Sequence, residues 1–182
     1  GLFYQRQDQV FQDSSAVKKA VVNAVNWISE QDFENVVLEI ANEYPHPGFD
    51  FSIIQSSDGM TRLIQLAKKT NPNLLVSASG LGNGKIDESV ARASDFILIH
   101  FNDTPVDSIP ARIKAVQHYN KPVVCNEDNK TGERACQATQ AAVHNNCSYG
   151  YMNIKVNQHK PFVFDGAADD PVFYDYLKQI AE

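Results

Sequence analysis

Short aliphatic segments alternate with helical patterns along almost the whole chain, and this alternation restricts the fold more than any other feature. Apolar residues recur at helical spacing between the aliphatic segments, as in the helix expected from about Ser15 to Glu30, which Asp13 or Ser14 would cap. The predicted strands, in chain order, are Leu2–Tyr4, Val36–Glu43, Leu74–Ser79, Asp95–Phe101, Val123–Asn126 and Ser148–Ile154. Strands that alternate with helices in this way form a parallel sheet covered by helices.

The two faces of these strands differ in polarity, and this difference favours one kind of parallel sheet. In the second strand, Leu38 and Ile40 would pack under a helix, whereas Glu39, Ala41 and Glu43 would share the opposite face. A doubly wound sheet needs apolar side chains on both faces. A strand with one mixed or polar face suits the interior of a barrel instead. We therefore predict an α/β protein with barrel geometry.

Composition limits the function classes. The chain has 182 residues, enough for one domain with a sizeable core, so we expect residues 1–182 to form a single domain. A net charge of -6 argues against nucleic acid as a partner. No apolar run approaches the length needed to span a membrane, which argues against a membrane partner. Three cysteines are too few for a disulfide framework.

Two of the predicted strands end in an amide followed by a carboxylate. Asn42-Glu43 closes one of them, and Asn126-Glu127 closes the other. Because ligands of parallel α/β folds bind at the carboxyl ends of the strands, we expect the two carboxylates to meet across one opening. A pair of carboxylates is the arrangement that glycoside hydrolysis uses.

These residues carry a family resemblance. Glu39-x-x-Asn42-Glu43 resembles the fourth-strand motif of the cellulase-like clan A glycoside hydrolases, and Glu127 resembles the seventh-strand nucleophile of that clan. His100, at the end of the presumed sixth strand, resembles a histidine that contacts substrate or nucleophile there. By this count the chain holds strands three to eight of a TIM barrel. A complete barrel needs about 250 residues, so we expect a partial barrel, either a C-terminal fragment or a short natural form.

The resemblance implies retaining hydrolysis of a β-glycoside, with a carbohydrate as the substrate. Glu43 would act as the general acid and later as the general base, and Glu127 as the nucleophile. Asn42 would hydrogen-bond the sugar 2-hydroxyl. The remaining residues expected to contact substrate are His100, Asn102 and Tyr151.

The chain departs from the family pattern at two of these positions. Asn102 stands where the family often has a tyrosine, and Tyr149 or Tyr151 would replace a missing tryptophan platform. The mechanism needs no cofactor and no metal ion. A glycosidase of this kind is expected to be secreted or periplasmic, although no signal peptide is visible in this chain.

Two other functions compete with hydrolysis. A metal-dependent sugar isomerase or lyase would use Glu43, His46, Glu127 and Asp128 as ligands, but these residues lack a recognisable ligand spacing. A non-catalytic partial barrel would at most bind carbohydrate.

Assembly follows from the incomplete barrel. A barrel without two strands has open edges beside Leu2–Tyr4 and beside Ser148–Ile154, and open edges invite pairing with another chain. We therefore expect a homo-oligomer, with a dimer as the simplest form. The alternative is that the segment Asn157–Asp169 folds back and shields the gap.

Overall fold

The computed structural model describes residues 1–31, 33–158 and 160–182, and it has a mixed α/β fold with parallel strands in two small sheets. The α-helices are α1 (Ser14–Glu30), α2 (Ser52–Gln55), α3 (Ser57–Thr70), α4 (Glu88–Ala93), α5 (Ile109–Val116), α6 (Gly132–Val143), α7 (Ile154–Asn157) and α8 (Pro171–Ala181). The strands are β1 (Leu38–Glu39), β2 (Val76–Ser77), β3 (Ile97–His100), β4 (Val123–Glu127) and β5 (Cys147–Ser148). Short 3-10 helices cover Asp8–Val10, Val106–Ser108, Gln117–Tyr119 and Gly166–Asp169. The predicted alternation of strands and helices is confirmed.

Contacts divide the chain into two compact units. The first unit comprises Gly1–Leu81, Lys85–Leu98 and Tyr119–Pro122. The second comprises Gly82–Gly84, Ile99–His118 and Val123–Glu182. The assignment of residues 1–182 to a single domain stays a prediction.

The first unit is built around the parallel pair β1 and β2. Leu38 pairs with Val76, and Glu39 pairs with Ser77. Isolated parallel bridges extend this arrangement on both sides, from Phe3 to Ala41 and from Ser79 to Leu98. Strands that neighbour each other in sequence therefore also neighbour each other in this unit, as the βα alternation predicts.

Helices α1 and α3 cover one face of the first unit's strands. Each presents a stripe of buried side chains at helical spacing, namely Val17, Val21, Val25 and Ile28 on α1, and Met60, Leu63, Ile64 and Ala67 on α3. These stripes share one core with Leu38 of β1 and with Ile40, the residue that follows β1. Asp13 caps α1 by accepting the Ala16 N–H through Oδ1 at 2.9 Å. Sequence periodicity predicted both helices because their apolar stripes are long and uninterrupted.

In the second unit, β4 and β5 run parallel, with Val123 opposite Cys147. A parallel bridge from Asp128 to Tyr151 continues the pairing beyond β5. The last strand was predicted to reach Ile154, and this boundary is wrong. Ile154 begins α7, because the Asn153 side chain accepts the Lys155 N–H at 3.2 Å and so starts a helical turn.

Helix α8 packs against α6 in the second unit. Phe173 is fully buried with Ala135 and Cys136 of α6, and Tyr149 and Tyr151 pack on the same cluster. Pro171 occupies the first turn of α8, where its fixed φ suits the helix and its missing N–H costs no hydrogen bond. The two aromatic residues that follow β5 are thereby held within the unit.

Two further predictions concern barrel closure and its cover. The described residues contain five strands, so the partial TIM barrel stays a proposal. Residues 160–168 of the segment Asn157–Asp169 are exposed, and His159 of that segment lies outside the described residues.

None of the described helices is both long and apolar enough to cross a lipid bilayer.

Candidate active site

Glu43 lies in a turn that directly follows the β1 segment, and not in the strand that was predicted to contain it. Its φ of 51° is in the left-handed region, which residues with a β-carbon seldom occupy. The alternation of side chains therefore stops before Glu43, and its orientation cannot be inferred from Glu39 and Ala41. We call residues 42–45 the Glu43 turn.

Ser79 holds the backbone of the Glu43 turn. The Glu43 N–H donates to Ser79 Oγ at 2.8 Å, and the Tyr44 N–H donates to the Ser79 carbonyl at 3.1 Å. The Ser79 hydroxyl in turn donates to Glu39 Oε1 at 2.5 Å. Ser79 and Glu39 are both buried, so this short chain of hydrogen bonds is shielded from water. Glu39 therefore acts as a structural acceptor.

Side chains around the turn add further contacts. Gln5 Nε2 donates to Glu43 Oε2 at 3.4 Å, and the buried Asn42 donates its N–H to the Phe3 carbonyl at 2.9 Å. The Tyr44 hydroxyl is hydrogen-bonded to the Asp87 carboxylate. Burial, together with the Asp87 charge, raises the pKa of Tyr44 well above its usual range, so this hydroxyl stays a donor. Glu43 is half-buried beside these fixed groups.

Glu127 is the last residue of β4, and the second unit brings two predicted substrate-binding residues to its carboxylate. Asn102 Nδ2 donates to Glu127 Oε1 at 2.6 Å, and His100 Nδ1 lies 3.9 Å from the same oxygen. His100 is fully buried. We call Glu127, Asn102 and His100 the Glu127 cluster. A short charge-assisted hydrogen bond of this kind fixes the carboxylate rotamer.

Backbone contacts fix the ends of the strands beside the cluster. The Phe101 N–H donates to the Glu127 carbonyl at 3.0 Å. Gly150 lies so close to β4 that a β-carbon there would be 2.5 Å from the Asn126 carbonyl carbon. Only glycine allows this approach, which keeps the chain after β5 against the end of β4.

Tyr151, the predicted sugar platform, is engaged within the second unit. Its hydroxyl donates to Asp170 Oδ2 at 2.8 Å, and its ring centroid lies 4.3 Å from that of Phe173. Burial and the Asp170 charge raise the pKa of Tyr151 above its usual range. Its contact with substrate stays a prediction.

An ion pair next to the cluster was missed from the sequence. Lys130 Nζ lies 2.9 Å from Asp128 Oδ1 and 3.2 Å from Oδ2, and the Tyr149 hydroxyl donates to Oδ2 at 3.1 Å. Burial raises the pKa of Asp128, and Lys130 partly offsets that rise. Nothing in the sequence marks Lys130, because surface loops commonly carry lysine.

The metal-dependent alternative relies on ligands that already have partners. Both oxygens of the Asp128 carboxylate contact the Lys130 ammonium. His46 Nδ1 accepts the Gly48 N–H at 2.9 Å. These contacts account for both side chains without a metal ion, so they add no support to an isomerase or lyase.

Comparison with known proteins gives one kind of match. No protein-family model matches the sequence, and no curated protein sequence is similar to it. The structure is similar to the crystal structure of an intracellular xylanase from Thermoanaerobacterium saccharolyticum, with a TM-score of 0.59 and 11% sequence identity. The match covers 82% of this chain and 63% of the xylanase chain. At this identity the likeness concerns the fold alone, so the fold of the chain is distantly similar to that of this xylanase.

Proposed function

We propose that this protein is a glycoside hydrolase that cleaves a β-glycoside with retention of configuration. The observation that carries the proposal is the Glu127 carboxylate at the carboxyl end of a parallel strand, fixed by the Asn102 amide at 2.6 Å. The fold likeness to a xylanase supports it, since the carboxyl ends of barrel strands are where such enzymes act.

The proposed reaction has two steps. In the first, Glu127 attacks the anomeric carbon while Glu43 gives a proton to the departing oxygen, and the glycosidic bond breaks. In the second, Glu43 takes a proton from water, the water oxygen attacks the anomeric carbon, and the bond to Glu127 breaks. The mechanism requires the two carboxyl groups to lie about 5–5.5 Å apart, and this convergence stays a prediction.

The other predicted site residues receive supporting roles. Asn42 would bond the sugar 2-hydroxyl, a contact that strengthens in the transition state. His100 and Asn102 would orient the nucleophile as well as touch the sugar. Tyr151 would contribute a ring edge at the rim. Partial TIM-barrel geometry, with strands three to eight, is the arrangement that would gather these residues at one pole.

Covalent trapping tests the proposal directly. A 2-deoxy-2-fluoro β-glycoside with a good leaving group should form a stable adduct, which intact-mass spectrometry detects and peptide mapping assigns to Glu127. Glu127→Gln should form no adduct and should lose all turnover of aryl β-glycosides. Asp107→Asn, an exposed carboxylate in a 3-10 helix, is the matched control and should behave like the wild type. Adduct formation on any other residue would contradict the proposal.

The acid role needs a separate test. Glu43→Gln should spare the first step for activated leaving groups, which need little protonation, and should slow poor leaving groups by about 10²–10⁴-fold. Equal losses for good and poor leaving groups would contradict the role assigned to Glu43.

The alternative proposal is a partial barrel that binds carbohydrate without cleaving it. The match to the xylanase covers 63% of that chain. Saturable binding of a β-linked oligosaccharide, measured by calorimetry, together with the absence of adduct and turnover, would favour this alternative.

Assembly as a homodimer is also proposed. A second copy would cover the open edges predicted beside Leu2–Tyr4 and beside Ser148–Ile154, because unpaired strand edges invite pairing with another chain. Light scattering at micromolar concentration tests the proposal, and a monodisperse monomer would refute it.

A further inference from the structure

Lys130 is a shielded cation that the proposed mechanism does not use. Only 9% of its side chain is exposed, and a lysine is seldom buried unless its charge is paired. Its ammonium has three protons to donate. Lys130 Nζ donates to the Asp128 carboxylate, and it also donates to the Phe101 carbonyl oxygen at 2.8 Å.

The contact with Phe101 links Lys130 to the Glu127 cluster. Phe101 directly precedes Asn102, and its carbonyl accepts from Lys130 at the point where β3 has ended. Its N–H is held by the Glu127 carbonyl at 3.0 Å. The Phe101 carbonyl belongs to the peptide group that joins Phe101 to Asn102, and the orientation of that group sets where the Asn102 side chain begins. The Lys130 ammonium therefore constrains the Asn102 side-chain amide without contacting it.

The neighbouring carboxylate explains how the ammonium is kept in place. Asp128 is fully buried, and its two oxygens both contact Lys130. Removing a counterion from a buried pair is costly, so the ammonium has one stable location. The pair is neutral as a whole, so it can orient its neighbours without adding net charge beside Glu127.

We propose that Lys130 is a positioning residue that holds the Asn102 amide against the Glu127 carboxylate. The inference rests on the proposed role of Glu127 as nucleophile. A nucleophile displaced by about 1 Å can lose roughly 10²-fold in rate, so a fixed rotamer matters. The competing explanation is an ion pair that stabilises the fold and has no separate effect on Asn102.

A mutant cycle separates the two explanations. The variant that combines Asp128→Asn with Lys130→Met removes the side-chain donor to the Phe101 carbonyl, which still accepts the Thr104 N–H at 2.9 Å, and leaves no unpaired buried charge. It should lower kcat/KM for an activated aryl β-glycoside by about 10- to 10²-fold, with thermal unfolding confirming that the protein remains folded. Asn102→Ala should have a similar effect. The triple variant should be no worse than Asn102→Ala alone, because both changes remove one interaction. Losses that multiply would overturn the proposal.

An activity-independent measurement keeps the proposal testable if the protein hydrolyses no glycoside tested. In ¹⁵N-edited NMR spectra, the Asn102 side-chain amide should show one proton shifted downfield by its short bond to a carboxylate. Its disappearance in Asn102→Ala assigns the signal. In the Asp128→Asn, Lys130→Met variant, this proton should move to the position of a solvated asparagine. An unchanged signal would refute the positioning role. A shifted signal without turnover in the wild type would count against the proposed hydrolase function alone.

Discussion

Glu43 lies after one short parallel strand and Glu127 is the last residue of another, and the chain holds the two residues in different ways. Glu43 lies outside its strand with a φ of 51°, and its backbone N–H is anchored on Ser79 Oγ. Glu127 remains in its strand, and its carboxylate is fixed through a 2.6 Å hydrogen bond from Asn102. Ser79 therefore anchors the main chain at Glu43, whose carboxylate also accepts from Gln5 Nε2 at 3.4 Å, whereas Asn102 donates the shorter bond to the Glu127 carboxylate.

This difference matches the two proposed roles. A general acid and base must give up and regain a proton, so it benefits from a fixed backbone with an adaptable carboxyl group. A nucleophile must present one oxygen to one carbon, so a locked rotamer is an advantage. The comparison therefore predicts that backbone changes should affect the Glu43 turn most, and that loss of a partner should affect the Glu127 cluster most.

The largest expected effect is on the ion pair beside the Glu127 cluster. Lys130→Met leaves Asp128 buried and unpaired, so we expect it to lower the free energy of unfolding by about 3–5 kcal/mol. Adding Asp128→Asn should restore much of this loss, because no unpaired charge then remains. Chemical denaturation of the single and double variants measures the difference. A single variant as stable as the double variant would show that the pair is not coupled.

A smaller effect is expected at Ser79 on the other side of the comparison. Ser79→Ala removes a donor to Glu39 and an acceptor from the Glu43 N–H, which should cost about 1–3 kcal/mol. It should also slow poor leaving groups more than activated ones, because it disturbs the proposed acid. Ser77→Ala is the matched control, since Ser77 Oγ donates only to the Phe96 carbonyl among the described contacts. An equal change in leaving-group dependence in both variants would break the link between Ser79 and Glu43.

The difference in stability between a glycine and an alanine variant should have opposite signs at positions 43 and 127. Glu43→Gly should be more stable than Glu43→Ala by about 1 kcal/mol, because glycine accepts a positive φ without steric cost. In the strand, Glu127→Gly should be less stable than Glu127→Ala by about 0.5–1 kcal/mol. Thermal unfolding of the four variants tests this. The same order at both positions would remove the distinction drawn between them.

The smallest expected effect concerns acid pH and the support of Tyr151. Burial alone would raise the pKa of Asp170, but hydrogen bonds from the Gly132 N–H, the Tyr151 hydroxyl and the Phe173 N–H outweigh it and lower the pKa. A carboxyl group with a lowered pKa stabilises the fold above its unfolded pKa of about 3.9, and this contribution is lost as pH falls through the folded value.

Asp170→Asn should therefore flatten the acid limb of the stability curve, by less than the roughly 0.5–2 kcal/mol that a helix cap contributes. Unfolding measured between pH 5 and pH 2 tests this, with the exposed Asp107→Asn as control. An acid limb as steep as in the wild type would show that Asp170 does not carry the effect.

Much of the fold could be predicted from the sequence, because its signals are local. Apolar residues at helical spacing located α1 and α3, and the aliphatic run Val123–Cys125 located β4. The turn at Glu43 could not be predicted, since the alternation rule assumes that the strand continues. A left-handed glutamate has no sequence signature, unlike glycine or asparagine.

The site could be predicted only in part. Glu127 was identified because a carboxylate at the end of an aliphatic strand is a local pattern, whereas His100 and Asn102 were selected through the family resemblance. The structure brings these three together. Lys130 and Ser79 were missed as supporting residues. Their roles depend on partners about 29 and 36 to 40 residues away in sequence, which no local pattern encodes.

The Asp170 carboxylate also bears on the order in which the second unit can form. Its Oδ2 accepts the Gly132 N–H at the start of α6 at 2.7 Å, and its Oδ1 accepts the Phe173 N–H in the first turn of α8 at 3.2 Å. During synthesis, Gly132 is therefore added to the chain before the group that satisfies its N–H. The first turn of α6 gains this acceptor only once Asp170, 38 residues later, has been made.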